Sequence, residues 1–366
     1  MVKRKNVVEI DSTSGSRAYN RLDMQASQSL HMVLELYDKF NFEIIEDYYD
    51  DITILNLDKD PLVVSYYQMK TSDHVITIDS AIKKDWLVKM QRQMERPEGW
   101  IVKELGLITN TPLKVIFKVQ GKNGKSIAHK VEYKDPHTPF SKFDKSVQNR
   151  IINDIAAKCG IPTEEVDLSK FVHVHTTLSI ERHRDIVEKE MSDFLFCKNR
   201  HITIDTVKGI YQTVMEILTK KQAYEELSED APSEDVRKWK GVSRDDFSRI
   251  IDKSILLSVP SFPDVRKFLQ MKDNDERELS VSNSYSRIVS DSMNSSDKSF
   301  SAIFDLTLEF LEKDPFTSSD NLWDYALKIE EKVRGMNSLL LTPYKEYSYI
   351  AVLAVCILIN LSRKSR

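Results

Sequence analysis

The sequence predicts an α/β domain of mixed sheet flanked by helices, followed by an all-helical C-terminal region. Two observations carry this. Up to about residue 200, short β-prone runs alternate with helical patterns. Beyond His201 only helical stripes recur, as in Ile204, Val207, Tyr211, Val214 and Leu218. At 366 residues the chain is long enough for two domains, here placed at 1–200 and 201–366.

In chain order, the polar opening through about Asn20 contains Ser12-Thr13-Ser14-Gly15 and reads as an irregular arm. Leu22 to Tyr37 is rich in helix formers, with apolar residues at helical spacing at Ala26, Leu30, Val33 and Tyr37. Phe42–Tyr48, Asp51–Leu57 and Leu62–Lys70 read as strands, and Asp58-Lys59-Asp60-Pro61 as the tight turn between the last two. Asp79 to Glu95 reads as one helix, ended by Arg96-Pro97-Glu98-Gly99. Leu105–Asn110, Leu113–Gln120 and Phe171–Thr176 read as strands, Asp144–Lys158 and Glu181–Cys197 as helices. No convincing strand follows His201. Ser243-Arg244-Asp245-Asp246 caps a further helix. Ser228–Asp235 reads as a polar loop, and the serine-rich stretch from Glu278 to Phe300 as a mobile connector (about 278–300). Ala302–Leu361 returns to helical pattern. The apolar run Tyr349–Ile359 is about half of the roughly 20 residues that a membrane span takes. It reads as a helix buried against partner helices, with no membrane as partner.

Composition removes several function classes. A net charge of −4 leaves no general polyanion-binding surface, so a nucleic-acid site must be a local basic patch. Nine glycines, without a GxGxxG or GxxxxGK[ST] string, argue against phosphate-cradling loops. Three cysteines without a CxxC argue against a disulfide scaffold or structural zinc and fit a reducing cytoplasm. Lys3, Arg4 and Lys5 precede polar residues, so no secretory leader is expected. GxSxG, HExxH and kinase signatures are absent.

The chemistry-bearing stretch lies in the first fifth of the chain. Alternation puts Asp51, Thr53 and Leu55 on one strand face, and Tyr66, Gln68 and Lys70 on one face of the later strand. An antiparallel pair brings the start of the first beside the end of the second. An acid, an amide and a lysine then meet at one point. That is the layout of metal-dependent phosphodiesterases of the PD-(D/E)xK kind. Asp51 is the expected principal ligand of Mg²⁺ (or Mn²⁺), Gln68 adds an amide oxygen, and the carbonyl of Met69 completes the set. Lys70 would orient or deprotonate water and stabilise the transition state. Glu46 and Asp50 are neighbouring acids, and Gln25 could contribute from the first helix. Read without that chemistry, the same residues form a solvated hairpin end with an ordinary ion pair.

The string Gln25-Ala26-Ser27-Gln28-Ser29-Leu30, then Glu46 and Asp50-Asp51-Ile52, then Tyr67-Gln68-Met69-Lys70-Thr71, then Leu107-Ile108-Thr109-Asn110, resembles the double-stranded DNA endonuclease domain of bacterial anti-phage effectors. The resemblance spans about Gly15 to Ile255. That family occurs in CBASS systems fused to a cyclic-oligonucleotide sensor, and in Lamassu systems beside an SMC-like ATPase. It implies a restriction-endonuclease-like PD-(D/E)xK core, a divalent metal, and Asp51, Gln68 and Lys70 at the centre. Gln68 departs from the general pattern by replacing an acid, which removes a charge from the metal site. A fused sensor would add a mixed α/β domain, whereas this C-terminal half has only helical pattern. The Lamassu setting therefore fits better: a cytoplasmic effector subunit acting on double-stranded DNA, with an SMC-like ATPase and an accessory defence subunit as partners. The apolar C-terminal helices would then dock or oligomerise, and activity would be gated by homo-oligomer assembly. Two alternatives stay open. One is a nuclease fold that binds DNA or scaffolds without cutting, and the other is a CBASS-type effector.

Lys114, Lys118, Lys122, Lys125 and Lys130 could form a phosphate-contacting hairpin, or a merely solvated one. Lys83, Lys84, Lys89 and Arg92 form a second basic candidate. His173 and His175 share a strand face and read as exposed, with no third metal ligand evident. Cys197 reads as a packing residue.

Overall fold

The computed structural model describes residues 14–96, 98–120, 126–199, 202–273, 275–293, 298–317, 321–336 and 348–364. The chain divides into two compact units, Met1–Met191 with Tyr211–Ser248, and Ser192–Ile210 with Arg249–Arg366. The first unit thus takes back residues 211–248, beyond the boundary near 200 that the fading strand pattern suggests.

Helix α1, Ser14–Leu36, starts earlier than expected. Residues 14–20 are its first turns rather than an arm, because no proline interrupts the run and helix formers follow directly. Strands β1 (Phe42–Glu46), β2 (Ile52–Asn56) and β3 (Val63–Lys70) form an antiparallel meander. Strand β4 (Ile76–Thr77) leads into α2 (Ile78–Lys83), which Thr77 caps by accepting the N–H of Ser80. The single helix expected over 79–95 is broken. Asp85 adopts φ 57°, and α3 (Trp86–Arg92) starts on a new axis, followed by a 3₁₀ turn at Gln93–Glu95. The break lets Ala81 and Leu87, Val88 and Met90 all reach one core.

Strand β5 (Ile101–Thr109) returns parallel to β3 after this helical crossover. Gly106 is required there, since a Cβ would sit 2.2 Å from the ring of Tyr67. Strands β6 (Leu113–Gln120) and β7 (Ser126–Tyr133) make a hairpin that pairs with β4 in a separate three-stranded sheet. Strand β8 (Thr138–Pro139), α4 (Lys145–Cys159) and β9 (Phe171–His175) follow, with β9 parallel to β5 and β8 antiparallel to β9. Next come α5 (His183–Lys198), α6 (Ile204–Gln222) and α7 (Ser233–Lys240). A strand does exist beyond His201. Gly241–Ser243, β10, pairs antiparallel with β1 and completes the order β10-β1-β2-β3-β5-β9-β8. Three residues are too few to show an alternation in sequence. The sheet is mixed, as the sequence predicts. One face, with Ile45, Leu55, Val64, Tyr66, Leu105, Leu107 and Phe171, packs on α2, α3 and α4.

Ser243 opens α8 (Arg244–Leu257) with a reciprocal cap: its hydroxyl accepts the N–H of Asp246, and the Asp246 carboxylate accepts the N–H of Ser243. The remaining helices are α9 (Phe262–Phe268), α10 (Glu278–Met293), α11 (Lys298–Lys313), α12 (Leu322–Met336) and α13 (Tyr349–Lys364). The expected mobile connector is largely α10. Its Val281 and Ile288 join the core of the second unit, and its serines are not idle. Ser280 and Ser284 hydroxyls pair with that of Ser348 at 2.7 and 3.1 Å.

Helix α13 is the centre of the second unit. Its residues from Tyr349 to Ile357 are all 3 % exposed or less. No described helix is long and apolar enough to cross a membrane. The apolar residues expected to dock a partner are therefore turned inward, onto Ile303, Phe304, Ile329 and Val333. The N-terminus of α13 is held by a carboxylate from α12. Buried Glu330 accepts the N–H groups of Ser348 and Ala351 at 3.1 and 3.0 Å, and Arg334 donates to it at 2.6 Å.

Candidate active site

Strands β1 and β2 are joined by a tight acidic loop, Asp47-Tyr48-Tyr49-Asp50-Asp51. Asp47 takes φ 47°, and its N–H donates to the Asp51 carbonyl at 3.2 Å. The same carbonyl accepts the side-chain amide of Gln25 from α1. The loop therefore presents Asp51 from a clamped backbone. Ile52 pairs with Tyr67, so one step further Asp51 stands opposite Gln68. Alternation then puts Asp51, Gln68 and Lys70 on one face of the sheet. Asp51 Oδ2 accepts the N–H of Met69 at 2.6 Å and faces Lys70 Nζ at 3.4 Å. The described residues give Oδ1 no partner.

Both side chains are about a quarter exposed, 26 % for Asp51 and 25 % for Lys70. They open onto a cleft of 430 Å³ whose walls include Gln25, Arg21, Lys84 and Trp86. Gln68 lies below, buried, and its Oε1 has no partner. Asp50 is beside them. One of its oxygens accepts the N–H of Asp51 at 3.0 Å, and the other is buried without a partner. Burial, then the charge of Asp51, pushes the Asp50 carboxyl up to about 6.

Glu46 is placed elsewhere. It pairs with Ile52, so its side chain lies on the face opposite Asp51, Gln68 and Lys70. It is fully buried, and neither carboxylate oxygen has a hydrogen-bond partner. Burial pushes it up to about 8. Ser29 and Lys240 act against that shift, with Ser29 outside hydrogen-bonding geometry, and the charge of Asp47 adds to it. A raised carboxyl favours the fold at low pH. As pH climbs from the ordinary 4.5 towards about 8, the unfolded chain ionises before the folded one, so stability falls through that window. Glu46→Gln should flatten the decline. Its Tm should drop less than the parent's between about pH 5 and 8, an effect bounded by about 1.4 kcal/mol per pKa unit. Parallel Tm profiles would show that Glu46 is ionised in the native state.

Among the described residues no group of three or more His, Cys, Asp or Glu side chains is gathered to hold a metal ion. The oxygens on offer are the free Asp51 Oδ1, the orphaned Gln68 Oε1 and the orphaned oxygen of Asp50. All are hard donors, suited to Mg²⁺ or Mn²⁺ and not to zinc.

The sequence gives no hint of Trp86, which forms one wall. Lys70 and Lys84 stand 5.8 and 5.3 Å from its ring centroid. Its role depends on the break at Asp85, which no local pattern announces. The basic hairpin roots beside the cleft, for Ile76 lines the cleft while pairing with Leu113. Register puts Lys114, Lys118 and Lys130 on one face of it, with Glu132 bridging to Lys130 at 3.0 Å. Lys130 beside Lys114 lowers the pKa of Lys114. Lys122 and Lys125 lie outside the described residues.

Two expectations change. His173 is not exposed but fully buried, with Nε2 2.8 Å from the Thr109 hydroxyl, and burial pulls its pKa down to about 3. It sits on a strand inside the sheet, where both faces are covered. Cys197 is exposed, so it is not a packing residue. A trio absent from sequence reasoning is Ser27, His183 and Asp23, with Ser27 Oγ 2.8 Å from His183 Nδ1 and Asp23 3.6 Å from Nε2. Ser27 is wholly buried, so the trio anchors α5 to α1 and offers no nucleophile.

No family model matches the chain. Solved structures of Cap4 SAVED/CARF-domain containing receptors align with it weakly. The Acinetobacter baumannii protein gives 12 % identity over 63 % of this chain and 46 % of its own, with a TM-score of 0.39. The Moraxella osloensis protein gives 14 % identity over 64 % and 47 %, with a TM-score of 0.35. The chain spans less than half the length of either. In sequence, the chain is 28 % identical over 278 residues to a protein named Lamassu protein LmuA from Bacillus cereus (strain VD014), covering 75 % of this chain and 74 % of that one.

Proposed function

We propose that this chain is a metal-dependent double-stranded DNA endonuclease of the PD-(D/E)xK kind, serving as the effector subunit of a Lamassu-like anti-phage complex. One observation carries the reading: Asp51 is held by Gln25 and the Met69 N–H directly opposite Gln68 and beside Lys70, at the open end of the sheet. Similarity to the protein named Lamassu protein LmuA supports the setting.

Asp51 and Gln68 would hold Mg²⁺ or Mn²⁺, with Asp50 behind them. When bound, the ion would neutralise phosphate charge and lower the pKa of a water. Lys70 has the other task. Its ammonium, kept beside Asp51 and the Trp86 ring, meets the negative charge that develops on a phosphate oxygen during cleavage. Arg21 and Lys84 flank the same cleft and would take the neighbouring phosphates. Lys84→Ala should weaken DNA binding without sequence preference. It should also reduce the slope of log affinity against log salt by about 1. An unchanged slope in a filter-binding titration would remove Lys84 from the interface.

Free activity with no base reader would endanger the host, so cleavage is gated by assembly with an SMC-like ATPase, an accessory subunit and further copies of this chain. The described residues from 249 onward are helical throughout and offer no sheet of the kind a cyclic-oligonucleotide sensor needs. Gln68 favours one second reading, a nuclease fold that binds DNA without cutting. Plasmid degradation decides between them. The intact protein, alone and with its partner subunits, is incubated with Mg²⁺ or Mn²⁺ and then with chelator. Metal-dependent loss of supercoiled DNA supports the nuclease. DNA binding without any cutting in either state supports the scaffold.

A further inference from the structure

The two sheets of the described residues end in four edge strands, β10, β8, β4 and β7. Three of them are short: β10 has three residues, β4 two, and β8 two with Pro139 as one of them. Short strands and proline keep an edge from pairing with another chain. The fourth, β7, runs eight residues from Ser126 to Tyr133 without proline, and its register with β6 is unbroken. Among the described residues its backbone bonds only to β6, so alternate residues turn their N–H and C=O outward, unpaired. The same hairpin leaves apolar surface uncovered. Ile116, Ile127 and Val131 are 37 %, 55 % and 36 % exposed.

An edge of this kind is completed by another strand, and the side chains select which one. Register with β6 puts Lys114, Ile116, Lys130 and Glu132 on one face, and Val115, Phe117, His129 and Val131 on the other. A lysine on an edge ordinarily keeps a second copy away. Here Glu132 follows on the same face, 3.0 Å from Lys130. Two β7 strands running antiparallel about Val131 set each Lys130 opposite the Glu132 of the other copy. Val131 then meets Val131, and His129, stacked on Phe117 at 5.8 Å, meets Tyr133. Centring the pair one residue earlier opposes two Lys130 ammoniums, and one residue later opposes two Glu132 carboxylates. Like charges directly opposite disfavour both. Centring it on His129 leaves Lys130 opposite Ala128, with no charges paired. Charge thus favours one register, and that register is self-complementary, as a two-fold interface requires.

We propose that this chain self-associates by joining two β7 edges antiparallel about Val131, which fuses two three-stranded sheets into one. This supplies a surface for the copies invoked above, and it stands on the strand edge, not on the nuclease reading. A joint made by residues 129–133 alone is small. It forms weakly by itself and strengthens when partner subunits or DNA gather the copies. It also sets Lys114, Lys118 and Lys130 of both copies on one face, doubling the basic strip along which a duplex would lie.

Two measurements on the full-length protein test this. Neither reads cleavage, so a failed nuclease reading leaves their result standing. The first is sedimentation at rising concentration. We expect the parent to associate, and Lys130→Glu and Glu132→Lys each to weaken association by about tenfold or more. An equal mixture of the two variants should recover it. In the mixture each copy supplies the charges the other lacks, which damage to folding cannot imitate. The second is disulfide trapping with diamide in a Cys197→Ser background, which removes the exposed native thiol. Residues facing across the two-fold lie about 4.5–5.5 Å apart at Cα, within disulfide reach. Val131→Cys should therefore link two copies, whereas Ile127→Cys, roughly 26 Å from its counterpart, should not. Random collision predicts the reverse, since Ile127 is the more exposed. Four results overturn the proposal: a parent that stays monomeric with no Val131→Cys crosslink, association that both charge variants keep, a mixture that stays apart, or crosslinking by Ile127→Cys or His129→Cys in place of Val131→Cys.

Discussion

Lys70→Ala and Asp51→Asn should each slow plasmid cleavage by about 10²–10³-fold or more, with the fold intact. Both positions tolerate change structurally. Lys70 ends its strand, is a quarter exposed, and makes only the 3.4 Å contact to Asp51 and the approach to Trp86. Asparagine keeps the shape of Asp51 and one oxygen to accept the Met69 N–H at 2.6 Å. What is lost is charge: the anion that would hold a cation, or the cation that would meet the phosphate. The two variants should differ in metal response. Extra Mn²⁺ should partly restore Asp51→Asn, because only its ligand strength is reduced, and should do nothing for Lys70→Ala. Circular dichroism melts in parallel with the plasmid assay separate lost chemistry from lost structure. Undiminished cutting by Lys70→Ala, with a native melt, would place the reaction at another site.

The second large effect concerns stability. Glu330→Ala should cost about 3–5 kcal/mol, because it strands buried partners and removes more than packing. The carboxylate accepts two N–H groups at the start of α13 and carries the 2.6 Å pair with Arg334. Its loss leaves two buried amide donors without their acceptor, at the mouth of the deeply buried helix α13. Urea unfolding followed by far-ultraviolet dichroism should show the helical unit melting early. Glu330→Gln should fall between the two, since one amide oxygen can still serve one N–H. A midpoint for Glu330→Ala within error of the parent's would mean that water caps α13 instead.

The convergence of Asp51, Gln68 and Lys70 was legible in sequence because strand alternation has a period of two and the β2–β3 turn is short. Glu46 lies on the opposite face, paired with Ile52. Whether an acid just before a loop faces Asp51 depends on parity across the loop. The loop geometry comes from Asp47 at φ 47°, which no pattern fixes in advance. Trp86 was hidden behind the bend at Asp85, and β10 is too short to alternate. The serines of α10 read as a linker because their value lies in hydroxyl pairs with Ser348, 64 and 68 residues away. Local composition cannot report a partner that distant. The apolar run at 349–359 is legible as a buried helix, but not that its own unit would cover all of it except Leu358, which stays partly exposed.

The edge strand β10 has a consequence for how this protein is born. A nascent chain emerges from its amino end, so Asp51 and Lys70 leave the ribosome before Gly241–Ser243 does. The outer side of β1 stays bare until Gly241–Ser243 arrives, nearly two hundred residues later. Until then Glu43 lacks Arg237, its partner at 2.6 Å. The sheet that carries Asp51 and Lys70 is finished by a piece of chain translated well after it, so a fragment cut at residue 200 should be an unfinished, sticky intermediate.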